Sequence, residues 1–157
     1  MVEPLELDLS MLNNAFCELV PHSKALGLSV LEISSEPAAA VMKLPWHPRL
    51  IGNPKTRAPH GGAVTTLIDS CCGVAVYLKI NALMPIATLD LRVDSLRPAD
   101  PDRDLFSRAE CYRATRNIAF VRAIAYQAGE AHNPIASAAA TFMLSTKGHL
   151  KRTGGES

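Results

Sequence analysis

A surplus of either charge is missing from this sequence. Sixteen Lys and Arg stand against fifteen Asp and Glu, a formal net charge of +1. Nucleic-acid binders draw much of their affinity from neutralising phosphates and carry a clear basic excess, so this balance argues against a nucleic-acid partner. A metal or disulfide framework is missing too. Cys17, Cys71, Cys72 and Cys111 form no Cys-x-x-Cys, and His22, His47, His60, His132 and His149 are dispersed, so no metal and no cofactor is expected. There is no basic-then-apolar leader either, since Met1 to Asp8 is acidic. Nearly uncharged stretches such as Pro134 to Thr146 are too short and too rich in Ala and Ser to span a bilayer. The expectation is a soluble protein of a reducing, cytoplasmic compartment, working without a membrane.

What is present is core material. Of 157 residues, 48% are apolar and 20% charged, enough for one domain over residues 1–157 to fold unaided. No repeat or low-complexity tract divides it. Leu9, Leu12, Phe16, Leu19 and Val20 have helical spacing, which predicts a helix from Asp8 to Val20 within a helical extension over 1–24, stopped by Pro21. Two extended segments follow, Leu28 to Ser35 and Ala38 to Leu44, joined at Glu36-Pro37. Pro45 to Pro59 has no periodicity and no acidic residue; a loop of that length is usually functional.

The most helix-like segment runs from Ala63 to Ile80. Its apolar positions cover most of the circumference, so it should be buried on nearly every side. Strand patterns then continue to the end. Leu89, Leu91 and Val93 alternate with Thr88, Asp90, Arg92 and Asp94, and further strands cover Leu105 to Arg113, Ile118 to Ala128 and Ile135 to Ser145. The tail over 147–157 is expected to be flexible. About six strands and one all-round apolar helix predict an α+β hotdog fold, a curved antiparallel sheet wrapped round a long central helix, plus a short N-terminal helix.

The chemistry is sought at Asp69. A carboxylate on an apolar helix costs several kcal/mol to desolvate unless paired, and no Arg or Lys lies between Ala63 and Tyr77. Such an acid either reaches solvent or another element's N–H, or is held in a pocket for reaction. Gly61 and Gly62 add a second ingredient. Glycines ahead of a helix let a ligand approach backbone N–H groups that carry partial positive charge, which suits an oxyanion. Gly62 and Asp69 are seven residues apart, roughly 10 Å along the axis, too far to serve one carbonyl carbon. An antiparallel partner helix would bring Asp69 of one subunit beside the glycines of the other, so a catalytic Asp69 predicts a homodimer. The thiols of Cys71 and Cys72, mid-helix among aliphatics, are poor candidates for a nucleophile.

The same residues carry a resemblance. His60-Gly-Gly-Ala-Val-Thr-Thr-Leu-Ile-Asp69-Ser-Cys-Cys-Gly73, following Gly52-Asn-Pro54, resembles the signature of PaaI-like (phenylacetate-pathway type) acyl-CoA thioesterases of the hotdog superfamily. The similarity extends to the Thr88 to Pro98 segment and to Arg116-Asn117, covering about residues 25–146. It implies hydrolysis of an acyl-CoA to free acid and CoA in a homodimer, assembled as a dimer of dimers (a homotetramer). Asp69 would act as general base or nucleophile, and Gly61 or Gly62 would donate to the carbonyl oxygen. His60 would steady the loop or substrate, and Thr88 would hold the water. Asn53, Arg57, Arg116 and Asn117 are the substrate-binding candidates. Arg49, Lys55 and Arg57 in the acid-free loop suit CoA phosphates. The alternatives are a non-catalytic acyl-CoA-binding hotdog module and a dehydratase of the same fold, which would want a His base.

Overall fold

The computed structural model describes residues 6–144. Its elements in chain order are α1 (Leu9–Asn13), a π turn (Asn14–Glu18), α2 (Pro21–Leu26), β1 (Ser29–Ser35), β2 (Ala38–Leu44), a 3-10 turn (Pro48–Leu50), α3 (Gly61–Ile80), β3 (Ile86–Ser95), β4 (Leu105–Ala114), β5 (Ile118–Gln127) and β6 (Ala136–Leu144). The six strands form one antiparallel sheet in the order β1-β2-β4-β5-β6-β3. This is the expected hotdog architecture, with two strands before the long helix and four after it. The expected flexible tail lies outside the described residues.

The sheet curves round α3, which packs chiefly on β2, β4 and β5. Leu67, Ile68, Cys71, Cys72, Val74, Ala75 and Val76 are fully buried, each large aliphatic contributing about 1.5–3 kcal/mol by leaving water. Close approach is possible because much of the facing core is small: Ala40, Ala109, Ala123 and Ala125. Contact is tight enough for the Cys71 thiol to donate to the Ala40 and Ser107 carbonyls at 3.5 and 3.3 Å. The alternation of β4 supplies this face, with Leu105, Ser107, Ala109 and Cys111 buried and Arg108 and Tyr112 turned to solvent. Gly73 makes room on the other side. A Cβ there would lie 2.9 Å from the Phe16 ring, so glycine lets the N-terminal helical segment lie against α3. Phe16 in turn meets Tyr77 edge-on at 5.1 Å.

By length and composition α3 could cross a membrane. Its burial against the sheet explains that composition: it is a core helix.

Several local expectations are corrected. Pro21 does not merely end a helix. The segment from Asp8 breaks into α1 and a π turn, Val20 turns extended, and Pro21 opens α2 at its first position, where its missing N–H costs nothing. Pro45 to Pro59 is not wholly irregular, since it holds the Pro48–Leu50 turn and an Ile51–Pro59 bridge. The burial of α3 is not uniform either. Its C-terminal two-thirds is enclosed, Gly61 and Gly62 are exposed, and Ala63 to Thr66 are half-buried. In β3 the register shifts between Thr88 and Asp90, and this bulge takes Leu89 off the face of Leu91 and Val93, leaving it 50% exposed.

The two sheet edges differ. At β1 the Asn13 side chain donates to the Val30 carbonyl and accepts from the Val30 N–H, both at 2.9 Å, so one amide stands in for a neighbouring strand. At β3 the outer edge has no strand partner among the described residues.

Candidate active site

The site is built around the tip of α3. His60 is its N-cap: extended backbone brings the imidazole round, and Nδ1 accepts from the Gly62 N–H at 2.8 Å. The position of His60 is fixed from behind, where its N–H donates to the Leu50 carbonyl at 2.7 Å. Gly52 packs so closely there that a Cβ would come 2.7 Å from the His60 Cα. These contacts separate the two candidate glycines. The Gly62 N–H is spent on His60, whereas the Gly61 N–H has no acceptor among the described residues. A Cβ built on Gly61 would meet nothing within 4 Å. Thr65 and Thr66 turn their hydroxyls inward, donating to the Gly61 and Gly62 carbonyls at 3.0 and 2.9 Å.

Asp69 sits two turns further along, half-buried. Its partner comes from β3: the Thr88 hydroxyl donates to Asp69 Oδ1 at 2.9 Å. One carboxylate oxygen is thus oriented, and Oδ2 has no hydrogen-bond partner among the described residues. β3 runs back along α3, so Thr88 lies beside Asp69 while Val93 and Ser95 lie beside Gly61. Gly61 and Asp69 are about 12 Å apart along the helix axis.

Two clefts flank the helix tip. One, of about 500 Å³, has Gly61, Val64, Val93, Leu96, Ile135 and Ala136 in its lining. The other, of about 370 Å³, is lined by His22, Arg49, His60, Gly62 and Thr66 with Leu26 and Leu50. His22 Nε2 lies 3.4 Å from the Thr66 hydroxyl, and the Arg49 guanidinium donates to the Ala25 carbonyl.

The other residues singled out in the sequence are spread more widely. Asn53 Oδ1 accepts from the Lys55 N–H at 3.0 Å, an Asx turn in the loop before α3. Arg57 holds Asp102 at 2.8 Å across an exposed ion pair, worth little in stability. Arg116 and Asn117 occupy the β4–β5 turn, at the end of the sheet where β3 begins. That turn is therefore on the side of Asp69, away from Gly61. All four cysteines are buried and free. Burial pushes the Cys71 thiol up to about 12 and the Cys72 thiol higher still, which removes either as a nucleophile near neutral pH. Among the described residues, no group of three His, Cys, Asp or Glu could hold a metal ion.

Sequence reasoning missed the cleft walls and the His22 contact. Val64, Val93 with Leu96, and Ile135 come from three separate segments and carry no local signal. The pairing of His22 with Thr66 depends on α2, which the helical pattern from Asp8 had hidden.

The arrangement offers an oriented carboxylate, an unspent helix-terminal N–H and a cleft between elements that carry both. Residues 59–131 match the family described as the Thioesterase superfamily. The chain is 28% identical over 156 residues to the medium/long-chain acyl-CoA thioesterase YigI of Escherichia coli, covering 88% of this chain and 95% of that one. A crystal structure described as a protein from the thioesterase superfamily superposes with a TM-score of 0.77 at 30% identity, over 87% of this chain and 98% of that one. The phenylacetic acid degradation protein PaaI of Thermus thermophilus, solved as a mutant, does so with a TM-score of 0.68 at 25% identity, over 80% of this chain and all of the other.

Proposed function

Since the chain belongs to the thioesterase superfamily, we propose that it hydrolyses acyl-CoA thioesters, with Asp69 and Gly61 completing one site across a homodimer. A single observation carries this reading: the Gly61 N–H, first of α3, has no acceptor among the described residues and opens on the larger cleft. A thioester carbonyl placed there accepts that hydrogen bond, and the helix dipole adds to it.

The carboxylate has to come from elsewhere, because Asp69 of the same chain is too distant. The unpaired edge of β3 supplies the geometry. Antiparallel pairing of two such edges, centred on Arg92 and passing over the bulged Leu89, sets Thr88 opposite Ser95 of the partner subunit. Thr88 holds Asp69, and Ser95 lines the cleft of Gly61. Each Asp69 is thereby carried to the other subunit's Gly61, giving two equivalent sites.

The chemistry then needs no more than these groups. Asp69, held at Oδ1 by Thr88, takes a proton from water as its oxygen attacks the thioester carbon. The oxyanion forms against the Gly61 N–H. Collapse breaks the C–S bond, and the CoA thiolate leaves and takes up the proton, so one water yields one acid and one thiol. Direct attack by Asp69 through an anhydride reaches the same products. His60 serves by capping: its ring consumes the Gly62 N–H and holds the helix tip at one angle. Arg116 and Asn117, on the Asp69 side, are proposed contacts to the CoA nucleotide. Asn53 and Arg57 are proposed to contact substrate from the loop before α3, Arg57 exchanging Asp102 for phosphate. The protein is proposed to act in the cytoplasm.

Release of CoA from a panel of acyl-CoAs, followed with a thiol reagent, tests the reading. Asp69→Asn should lower kcat by two to four powers of ten, roughly the contribution of a positioned acid–base group. An unimpaired variant would refute the mechanism, and tight binding without turnover by the native chain would favour the binding-module alternative.

A further inference from the structure

The two clefts at the helix tip differ in a way that orients the substrate. Resting on the thioesterase reading above, we propose that the larger cleft holds the acyl chain of the thioester, and that Val64 and Leu96 set the longest uncharged chain accepted. Four observations support the assignment. The cleft begins at Gly61, whose N–H would hold the carbonyl, so one of the two groups on that carbon, the acyl chain or the CoA sulfur, enters it directly. Its floor is apolar and closed, since Ile135 and Ala136 are 3% and 2% exposed. The charge at its rim is already spent. Arg97 pairs with Glu130 at 2.9 Å and donates to the carbonyls of Asn133 and Pro98, leaving a guanidinium that walls the cleft and does not seek an anion. The cleft on the opposite side opens at Gly62, whose N–H is already spent on the His60 ring, so it offers no donor to hold a thioester carbonyl at its mouth.

Size agrees with this occupant, because about 500 Å³ lies within the range of roughly 300–1,000 Å³ usual for small-molecule sites. Val64 stands half-buried near the start of α3, facing the β3 side, and Leu96 is 56% exposed at the mouth. A larger side chain at either position shortens the space while leaving Asp69, Thr88 and Gly61 themselves unsubstituted. A carboxylated acyl group finds no unpaired cation in the lining and is disfavoured.

Non-hydrolysable S-alkyl-CoA thioethers, from butyl through hexyl, octyl and decyl to dodecyl, separate this proposal from the catalytic one. Titrated by calorimetry into the native protein, they should bind about fourfold more tightly per added methylene until the cleft is filled. Val64→Phe should leave the butyl thioether unaffected and erase at least about tenfold of the gain for the longer ones. Leu96→Trp, at an exposed position that folding tolerates, should shorten the accepted chain as well, and it carries the test if Val64→Phe melts abnormally. Affinity that does not depend on chain length, or a slope unchanged in a folded variant, overturns the assignment. Turnover of the matching acyl-CoAs is read in parallel. A chain-length slope without cleavage sinks the hydrolytic reading and keeps the cleft, whereas cleavage without a slope does the reverse.

Discussion

Gly61 and Gly62 are neighbours of one residue type, yet their environments ask different things of them. A Cβ on Gly62 would lie 2.9 Å from His60 Nδ1, inside the ring that caps the helix. A Cβ on Gly61 would meet nothing in its own chain, so packing gives no reason for glycine there. The reason left is what approaches from outside, a carbonyl seeking the N–H. Gly61→Ala should therefore leave the fold as stable as before, or more stable by up to about 1 kcal/mol through a stiffer unfolded chain. The N–H remains, but the added methyl stands in the carbonyl's approach to it, so kcat should fall by up to about 10²–10³, the cost when an oxyanion donor cannot be reached. Gly62→Ala should instead lower stability by about 1 kcal/mol, as the cap is displaced. Thermal melts and CoA-release rates on the same samples decide it. If Gly61→Ala destabilises the fold as much as Gly62→Ala, the distinction between the two is wrong. Asp69 could be singled out in the sequence because a lone carboxylate in an apolar helix conflicts with its surroundings. The choice between the glycines could not, because it turns on where the His60 ring points.

At the scale of elements, Asn13 shows how a side chain can finish a sheet. Its amide meets both the N–H and the carbonyl of Val30, and removing it leaves a half-buried donor and acceptor open. Asn13→Ala should cost about 1–3 kcal/mol in urea denaturation, while Asn14→Ala, one residue on, should be near neutral. Equal losses at the two sites would mean that the edge is held by something other than this amide. The sequence made the larger elements legible: α3 through continuous apolar spacing, β4 to β6 through alternation, and the hotdog order through the placing of one helix among the strands. It hid the π turn after α1, because apolar spacing at Leu12, Phe16 and Leu19 is nearly the same whether a helix is α or locally wider. It hid α2 because Pro21 is both a terminator and a favoured first residue. The bulge at Leu89 was hidden too. Its sequence alternates cleanly, and only the pairing of β3 with β6 shifts the register.

The molecule as a whole has one sheet edge capped at Val30 by Asn13 and one with no such cap among the described residues, and an open edge is where another chain can pair. The open one is β3, which also carries the hydroxyl on Asp69 and borders the cleft of Gly61. If the site is shared across that edge, catalytic defects in its two halves should complement each other. Asp69→Asn and Gly61→Val would each be inactive as homodimers. Unfolded together and refolded as an equal mixture, half the dimers would be mixed, and in each of these one of two sites would unite an intact Asp69 with an intact Gly61. The activity recovered should approach about a quarter of the native value. Mixing without unfolding should recover it at the rate of subunit exchange. If both residues served within one chain, the mixture would stay as inactive as its components, because every chain would still carry one damaged half.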